Sequence, residues 1–442
     1  MAALVVAPTG GHSDHTCSFA DLWAERASEY GSGTAAFGFR YRTPRRGPSF
    51  PAGGHKGRPY NVLFTRRQIE MIVAHKPTGA RRVSLAILLA VVVFGLELGG
   101  QQKSGLSGAG PVVKGTPDDP VRDPREVHLR HVKQLTFGGQ NAEAYFSFDG
   151  NRLIFQSTRG PYKCDQIFIM NADGSDQRLV STGQGKTTCS YFYPDGKHIL
   201  YSSTHLSSPE CPPHPDYSKG YVWGVYSAFK IFYATDSGKI MKQLTTGPGY
   251  NAEATLSADG KKIVFTSSRD GDLEIYTMKP DGSEVKRLTH QLGYDGGPFF
   301  SPNGQWIVYR AHHPTAEDEV ARYKSLLAQG LVEPMQMDLY VMRADGSEQR
   351  RITNLGGASF APFFFPDSRR IIFASNYQNS GTSEFGLYAV NRDGSKLEPI
   401  TFTGGFNAFP QFSPDGKRLV FASNRNAKQP HEVNIFLADW VE

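Results

Sequence analysis

The chain has 442 residues with 47 Gly, 28 Pro and 12% aromatics, a composition that suits an all-β protein rich in tight turns and excludes a helix bundle or coiled coil. Its formal charge of +6 is carried by residues 1–82, with 12 Lys+Arg against 5 Asp+Glu; the near-neutral remainder gives no support to a phosphate-tracking surface, and no nucleic-acid partner is expected. Four cysteines, Cys17, Cys164, Cys189 and Cys211, are too few for a disulfide-built scaffold and lack the paired spacing of a structural zinc site.

Residues 1–70 show no sustained apolar period and carry clusters such as Thr43-Pro44-Arg45-Arg46-Gly47-Pro48, which reads as a disordered or non-native extension. Residues 71–98 read as a signal peptide or signal anchor. Arg81-Arg82 precede the apolar run Val83 to Leu96, 14 residues long; a membrane span needs about 20, a signal h-region about 7 to 15. Export follows, with Ser107-Gly108-Ala109 the nearest cleavage candidate. Uncleaved, residues 83–96 would anchor the protein to the inner membrane; a buried core helix is the third reading. Residues 99–127, rich in Gly, Pro and Ser, read as a linker.

From residue 128 onward repetition dominates. Six turns recur: Phe146-Ser147-Phe148-Asp149-Gly150, Tyr193-Pro194-Asp195-Gly196, Leu256-Ser257-Ala258-Asp259-Gly260, Phe300-Ser301-Pro302-Asn303-Gly304, Phe365-Pro366-Asp367-Ser368 and Phe412-Ser413-Pro414-Asp415-Gly416. A β-branched or aromatic strand follows each, such as Ile263-Val264-Phe265. A second turn, Asp173-Gly174, Asp281-Gly282, Asp345-Gly346 or Asp393-Gly394, divides most units, and such pairs supply the positive φ angles of hairpins. The base period of about 45 residues with four strands predicts a propeller blade. The last unit ends at its third strand, Asn434 to Ala438, and His131-Val132-Lys133-Gln134-Leu135-Thr136 matches the missing fourth. The expectation is therefore an all-β, six-bladed propeller over residues 128–442, closed by an N-terminal strand.

The Ser-Pro-Asp-Gly turns and the terminal Arg-Leu-Thr strands resemble the WD40-like repeats of the TolB family across residues 128–442. The resemblance implies a binding or scaffold role in the cell envelope, Tol–Pal-like or transport-associated. Proteins of that family carry an α/β domain ahead of the propeller, for which residues 97–127 leave no room, so the resemblance is confined to the propeller.

Loops entering the inner strands and loops between second and third strands gather on one face of such a disc. The entering segments Asn141-Ala142-Glu143, Asn251-Ala252-Glu253 and Asp295-Gly296-Gly297 aim three carboxylates at the channel, and the second strands end on Arg159, His205, Arg269, Arg310, His312, His313 and Arg425. These pair with one another across blades, or form a polar pocket for a peptide or small ligand. No cofactor is expected; a divalent cation at the channel mouth is the minor alternative, since carboxylates suit calcium and imidazoles suit zinc, but the histidines lack ligand spacing. Two insertions, 205–226 with Tyr221 and Trp223, and 314–337 with a helix over 316–329, fall on the same face, where long loops carry recognition. Cys164, Cys189 and Cys211 map there too, and a disulfide is expected between Cys189 and Cys211 or, second, between Cys164 and Cys189.

The segment Gly183 to Thr187 lacks the first glycine of a phosphate-binding loop, His431-Glu432 lacks the second histidine of a zincin, and no Gly-x-Ser-x-Gly elbow exists. The chain thus reads as a monomeric, non-enzymatic exported propeller that binds a protein or peptide partner. The alternative is a hydrolase or lyase acting on saccharide or peptide through Glu143, Glu253, His205 or His312; a purely structural scaffold is the third reading.

Overall fold

The computed structural model describes Asp119 and residues 121–217 and 220–442. The extension, the signal or anchor segment and most of the linker read from the sequence lie outside the described residues.

Six four-stranded antiparallel sheets surround one axis. The inner strands are Gln140–Phe146, Thr187–Phe192, Asn251–Leu256, Tyr294–Phe300, Ser359–Phe364 and Asn407–Phe412. In blades one to five the outer three strands follow in chain order. In blade six the fourth strand is Leu129–Gln134, paired antiparallel with Asn434–Trp440, as Leu129 against Trp440 and Gln134 against Phe436. Ring closure by the N-terminal strand is thus observed, and it leaves neither end of the ring as an unpaired blade.

The repeated residues each perform one task. In the Ser-x-x-Gly turns, Ser147, Ser257, Ser301 and Ser413 each hydrogen-bond an Asp or Asn two residues on and accept the N–H at the start of the next strand, at 3.0 Å in all four. The hydroxyl residue ending each repeat, Thr136, Ser181, Thr245, Thr289, Thr353 or Thr401, accepts a third-strand N–H at 2.8–3.0 Å. All six are buried, so a side chain replaces the missing ladder partner where a short fourth strand stops. The hairpin glycines also set blade spacing: Gly282, at φ +86°, would place a Cβ 2.7 Å from the Leu244 carbonyl oxygen of the preceding blade.

The ends of the second strands are likewise structural. Arg159, His205, Arg269, His313, Tyr377 and Arg425 lie over or against the third-strand rings of Phe168, Phe232, Tyr276, Tyr340, Tyr388 and Phe436. A planar cation, imidazole or ring thus caps each blade edge.

The last residues of the stretch read as linker are docked on blade six. Glu126 is fully buried and pairs bidentately with Arg425, at 3.0 Å for each contact. The carboxylate also accepts the Phe402 and Asp123 N–H groups, while Arg425 reaches Asn407 and Ser423. Glu126→Ala leaves the guanidinium buried without its counter-charge, and the expected loss of unfolding free energy in urea titrations is about 3–5 kcal/mol. Arg125→Ala, which breaks an exposed, solvent-screened pair with Asp123, is expected to leave the urea midpoint nearly unchanged.

Candidate functional site: the lidded channel mouth

Each inner strand is broken by a bulge, with pairing interrupted between Ala142 and Tyr145, Thr188 and Tyr191, Ala252 and Thr255, Gly296 and Phe299, Phe360 and Phe363, and Ala408 and Gln411. At every bulge one residue is left-handed: Glu143, Cys189, Glu253, Gly297, Ala361 and Phe409, with φ between 51° and 59°. Five of the six are not glycine, a backbone conformation that costs energy and is held by the surrounding sheet. Together they form a ring around the channel. Two residues further on, Tyr145, Tyr191, Thr255, Phe299, Phe363 and Gln411 form a second tier, where ring contacts of 5.4–6.3 Å link Tyr145, Tyr191, Phe299 and Phe363.

The upper ring is electrostatically uneven. Arg310 pairs in register with Gly296 and reaches across the ring to the Glu253 carboxylate and the Tyr294 hydroxyl. Gly297 is what lets it pass: a Cβ there would lie 2.0 Å from Arg310 Nη1. Glu253 further accepts the Thr266 hydroxyl at 2.7 Å and the Gly297 N–H at 2.9 Å. Glu143 has no such partners; its side-chain neighbour is the Cys189 thiol. Burial first, and the charge of Glu253 second, push the Glu143 carboxyl up to about 7, opposed by the attraction of Arg310. Burial likewise holds the Cys189 thiol well above its ordinary value.

The two insertions meet over this ring. Trp223–Gly224 of the first pairs antiparallel with Leu331–Val332 of the second, which also carries the helix Glu317–Leu327. Trp223 lies 5.2 Å from the Arg310 guanidinium and donates to the Tyr221 hydroxyl at 2.9 Å. Beneath this lid is a cavity of about 180 Å³, lined by ring residues Glu143, Cys189, Glu253 and Phe409 and by lid residues including Tyr217, Tyr221 and Trp223.

The disulfide differs from both expected pairings. Cys164 and Cys211 are bonded, with Cα atoms 6.0 Å apart, and Cys189 is free. The reason is position: Cys189 occupies the bulge of its inner strand and faces the channel, whereas Cys164 lies in the blade-one connection beside the first insertion. The bridge ties the lid to the ring's rim.

Of the residues singled out in the sequence, Glu143, Glu253, Arg310, Tyr221 and Trp223 line the cavity together. Asp295 does not: it stands in register with Asn141 and Asn251, one turn of the pleat away, where it is buried and bonded to His313 at 3.0 Å. Asn141 and Asn251 instead accept the Ser157 and Ser267 hydroxyls. Arg159, Arg269 and His205 belong to the blade-edge stacks, and His312 faces a separate hollow beside the helix, with Glu319 and Arg322. Among the described residues no group of three or more His, Cys, Asp and Glu is placed to hold a metal ion, and no helix is long and apolar enough to cross a membrane. The ring members Cys189, Gly297 and Phe409 carry no motif. Their signal is positional, as the third residue of each inner strand's entry.

With the geometry established, comparison with known proteins adds a family. A model of the TolB beta propeller domain matches residues 226–326 and 323–439. Over residues 226–439 the repeat region is thus similar to the TolB-like β-propeller family. An uncharacterised protein of Agrobacterium fabrum is 29% identical over 119 residues, covering 27% of this chain and 34% of that protein. A TolB homolog of Chlorobium luteolum is 26% identical over 182 residues, covering 35% of this chain and 42% of that protein. The chain thus spans between a third and a half of the length of these curated relatives. The crystal structure of TolB from Acinetobacter baumannii aligns at 18% identity and a TM-score of 0.45, over 69% of this chain and 64% of that one.

The Glu143 carboxyl gives the TolB-like propeller a defined pH signature. Its pKa rises from about 4.5 in the unfolded chain to about 7 when folded. The stability associated with its protonated form is therefore complete below pH 4.5 and lost as pH rises towards 7. Glu143→Gln is expected to remove that loss and to be more stable than the native protein at pH 8, by up to about 3 kcal/mol. Urea titrations of both proteins from pH 4 to pH 8 check this; parallel curves would contradict it.

Proposed function

We propose that this TolB-like propeller is an exported protein of the cell envelope that captures a protein or peptide partner at its lidded channel mouth. One observation carries the reading: two insertions from different blades pair with each other over the ring and leave an aromatic-lined cavity open beneath them. Long loops gathered on a rigid scaffold are where binding surfaces are built, and buried Trp and Tyr are the side chains that anchor interfaces. The Cys164–Cys211 bridge supports export, because such bonds persist in oxidising compartments. The reading includes no cofactor and a monomeric state. N-terminal sequencing of the native protein tests whether the segment 83–96 is removed or retained.

A second reading, an acid–base enzyme acting on a saccharide or peptide, has one observation in its favour: Glu143 is held near neutrality inside a cavity, as a general acid or base requires. His205 and His312 lie outside that cavity and have no part in it.

Crosslinking followed by mass spectrometry in the source organism is expected to join a partner to residues around Tyr221 and Trp223. Replacing both by alanine is expected to lower that yield at least tenfold, by removing interface anchors worth about 1.4 kcal/mol or more together. An unchanged yield would contradict the partner reading, and turnover of a glycoside or peptide lost in Glu143→Gln would favour the enzyme.

A further inference from the structure

The charged side chains that line the cavity are Glu143, Asp165 and Glu253 on one side of the ledger, Lys186 and Arg310 on the other, with His214 on the lid. Two acid–base pairs consume four of them. Lys186 Nζ lies 3.3 Å from Asp165, and Arg310 is bound to Glu253. Glu143 is left over: among the described residues no ion pair joins it to a cation, and the repulsion from Glu253 outweighs the attraction of Arg310. An ionised carboxylate in such a place is costly unless a cation reaches it. The protein supplies no such cation from the ring. Arg310 cannot serve both acids, since Thr266, Gly297 and Tyr294 fix Glu253 as its partner.

The walls have the complementary chemistry. Tyr217, Tyr221, Trp223, Phe360 and Phe409 line the space above Glu143, and aromatic faces around a carboxylate favour an ammonium group that is stripped of water. Arg310, lying 5.2 Å from the Trp223 ring and 5.4 Å from the Tyr294 ring, already makes this kind of contact within the site. A metal ion is a poorer match, because the carboxylates here are not accompanied by a third ligand among the described residues.

We infer that the channel mouth is a receptor for a primary alkylammonium group, a lysine side chain or a chain N-terminus, seated against the Glu143 carboxylate beneath the aromatic lid. The inference rests on the partner-capture reading and names the chemistry of the part of the partner that enters. The groups facing Glu143 are Cys189 from blade two, Glu253 from blade three, Arg310 from blade four and Asp165 from the blade-one rim, with Lys186 and His214 elsewhere on the wall.

Calorimetric titration of the purified full chain with short capped alanine peptides tests the inference. One peptide carries a central lysine, one a central norleucine, and one is neutral except for a free N-terminus. At pH 8 the lysine peptide, the free-N-terminus peptide, or both are expected to bind at least tenfold tighter than the norleucine peptide, and the better of the two identifies the source of the ammonium. The preference is expected to vanish in Glu143→Gln and to fall at pH 5.5, where Glu143 holds a proton. His214→Gln, which removes the imidazole from the lid wall, is expected to leave that fall in place. The pH comparison uses the native chain and so stands even where the Glu143 variant fails to fold. Equal binding of all three peptides, binding of none, or a preference retained in a folded Glu143→Gln protein would overturn the inference. Partner crosslinking that is intact in Glu143→Gln but lost on replacing Tyr221 and Trp223 would sink this inference alone; ammonium binding without any crosslinked partner would sink the capture reading alone.

Discussion

Closure of the ring is the constraint on which the molecule depends. A propeller blade buries its faces only against neighbouring blades, so a ring of six is stable only when the sixth is complete. Here the sixth is built from both ends of the repeat region, and its seam is secured by strand pairing and by an ion pair. Glu126 lies ahead of the closing strand and Arg425 in the loop after the second strand of blade six. Their buried contact fixes the entry of the chain against the connection from blade five, through the Phe402 N–H. Burying such a pair gives little net stability over an apolar alternative, but it penalises misregistered closure severely, because either charge alone would be stranded.

Closure also creates the channel ring. Six bulges at equivalent places turn six left-handed residues towards one axis, so the fold fixes their positions and leaves the identities of the side chains free. This chain places two acids, a thiol, a methyl and a phenyl group there, and uses the glycine at the remaining position as a passage for Arg310. The asymmetry of the ring is chemical, whereas its backbone is nearly six-fold. The lid has the opposite character, being made from insertions that occur in only two blades.

Much of this was legible in the sequence because the repeats report backbone requirements. Asp-Gly pairs mark hairpins, the Ser-Pro-Asp-Gly phrase marks the turn between inner and second strands, and the terminal Thr marks the hydroxyl that completes the third strand. The unpaired third strand at the C-terminus pointed to the N-terminal partner. The site was less legible. Asp295 resembles the ring acids by spacing, yet it stands two residues ahead of the left-handed residue Gly297, in the place of Asn141 and Asn251, and bonds to His313 instead of joining the ring. Arg159, Arg269 and Arg425 resemble Arg310 in a linear reading, but Arg310 lies three residues earlier in its blade, paired with Gly296 inside the sheet, and His313 takes the stacked position of the other arginines. The disulfide could not be read from spacing, because which cysteine meets Cys211 is decided by the path of an insertion without repeat partners.

The second tier of the inner strands has a consequence for how material could move through the disc. Tyr145, Tyr191, Phe299 and Phe363 touch one another below the ring, and a further hollow lies on the far side, lined by Phe148, Pro302, Pro366 and Pro414 from the turns. An aromatic layer therefore lies between the lidded cavity and the turn-side hollow, and the two are lined by different loops.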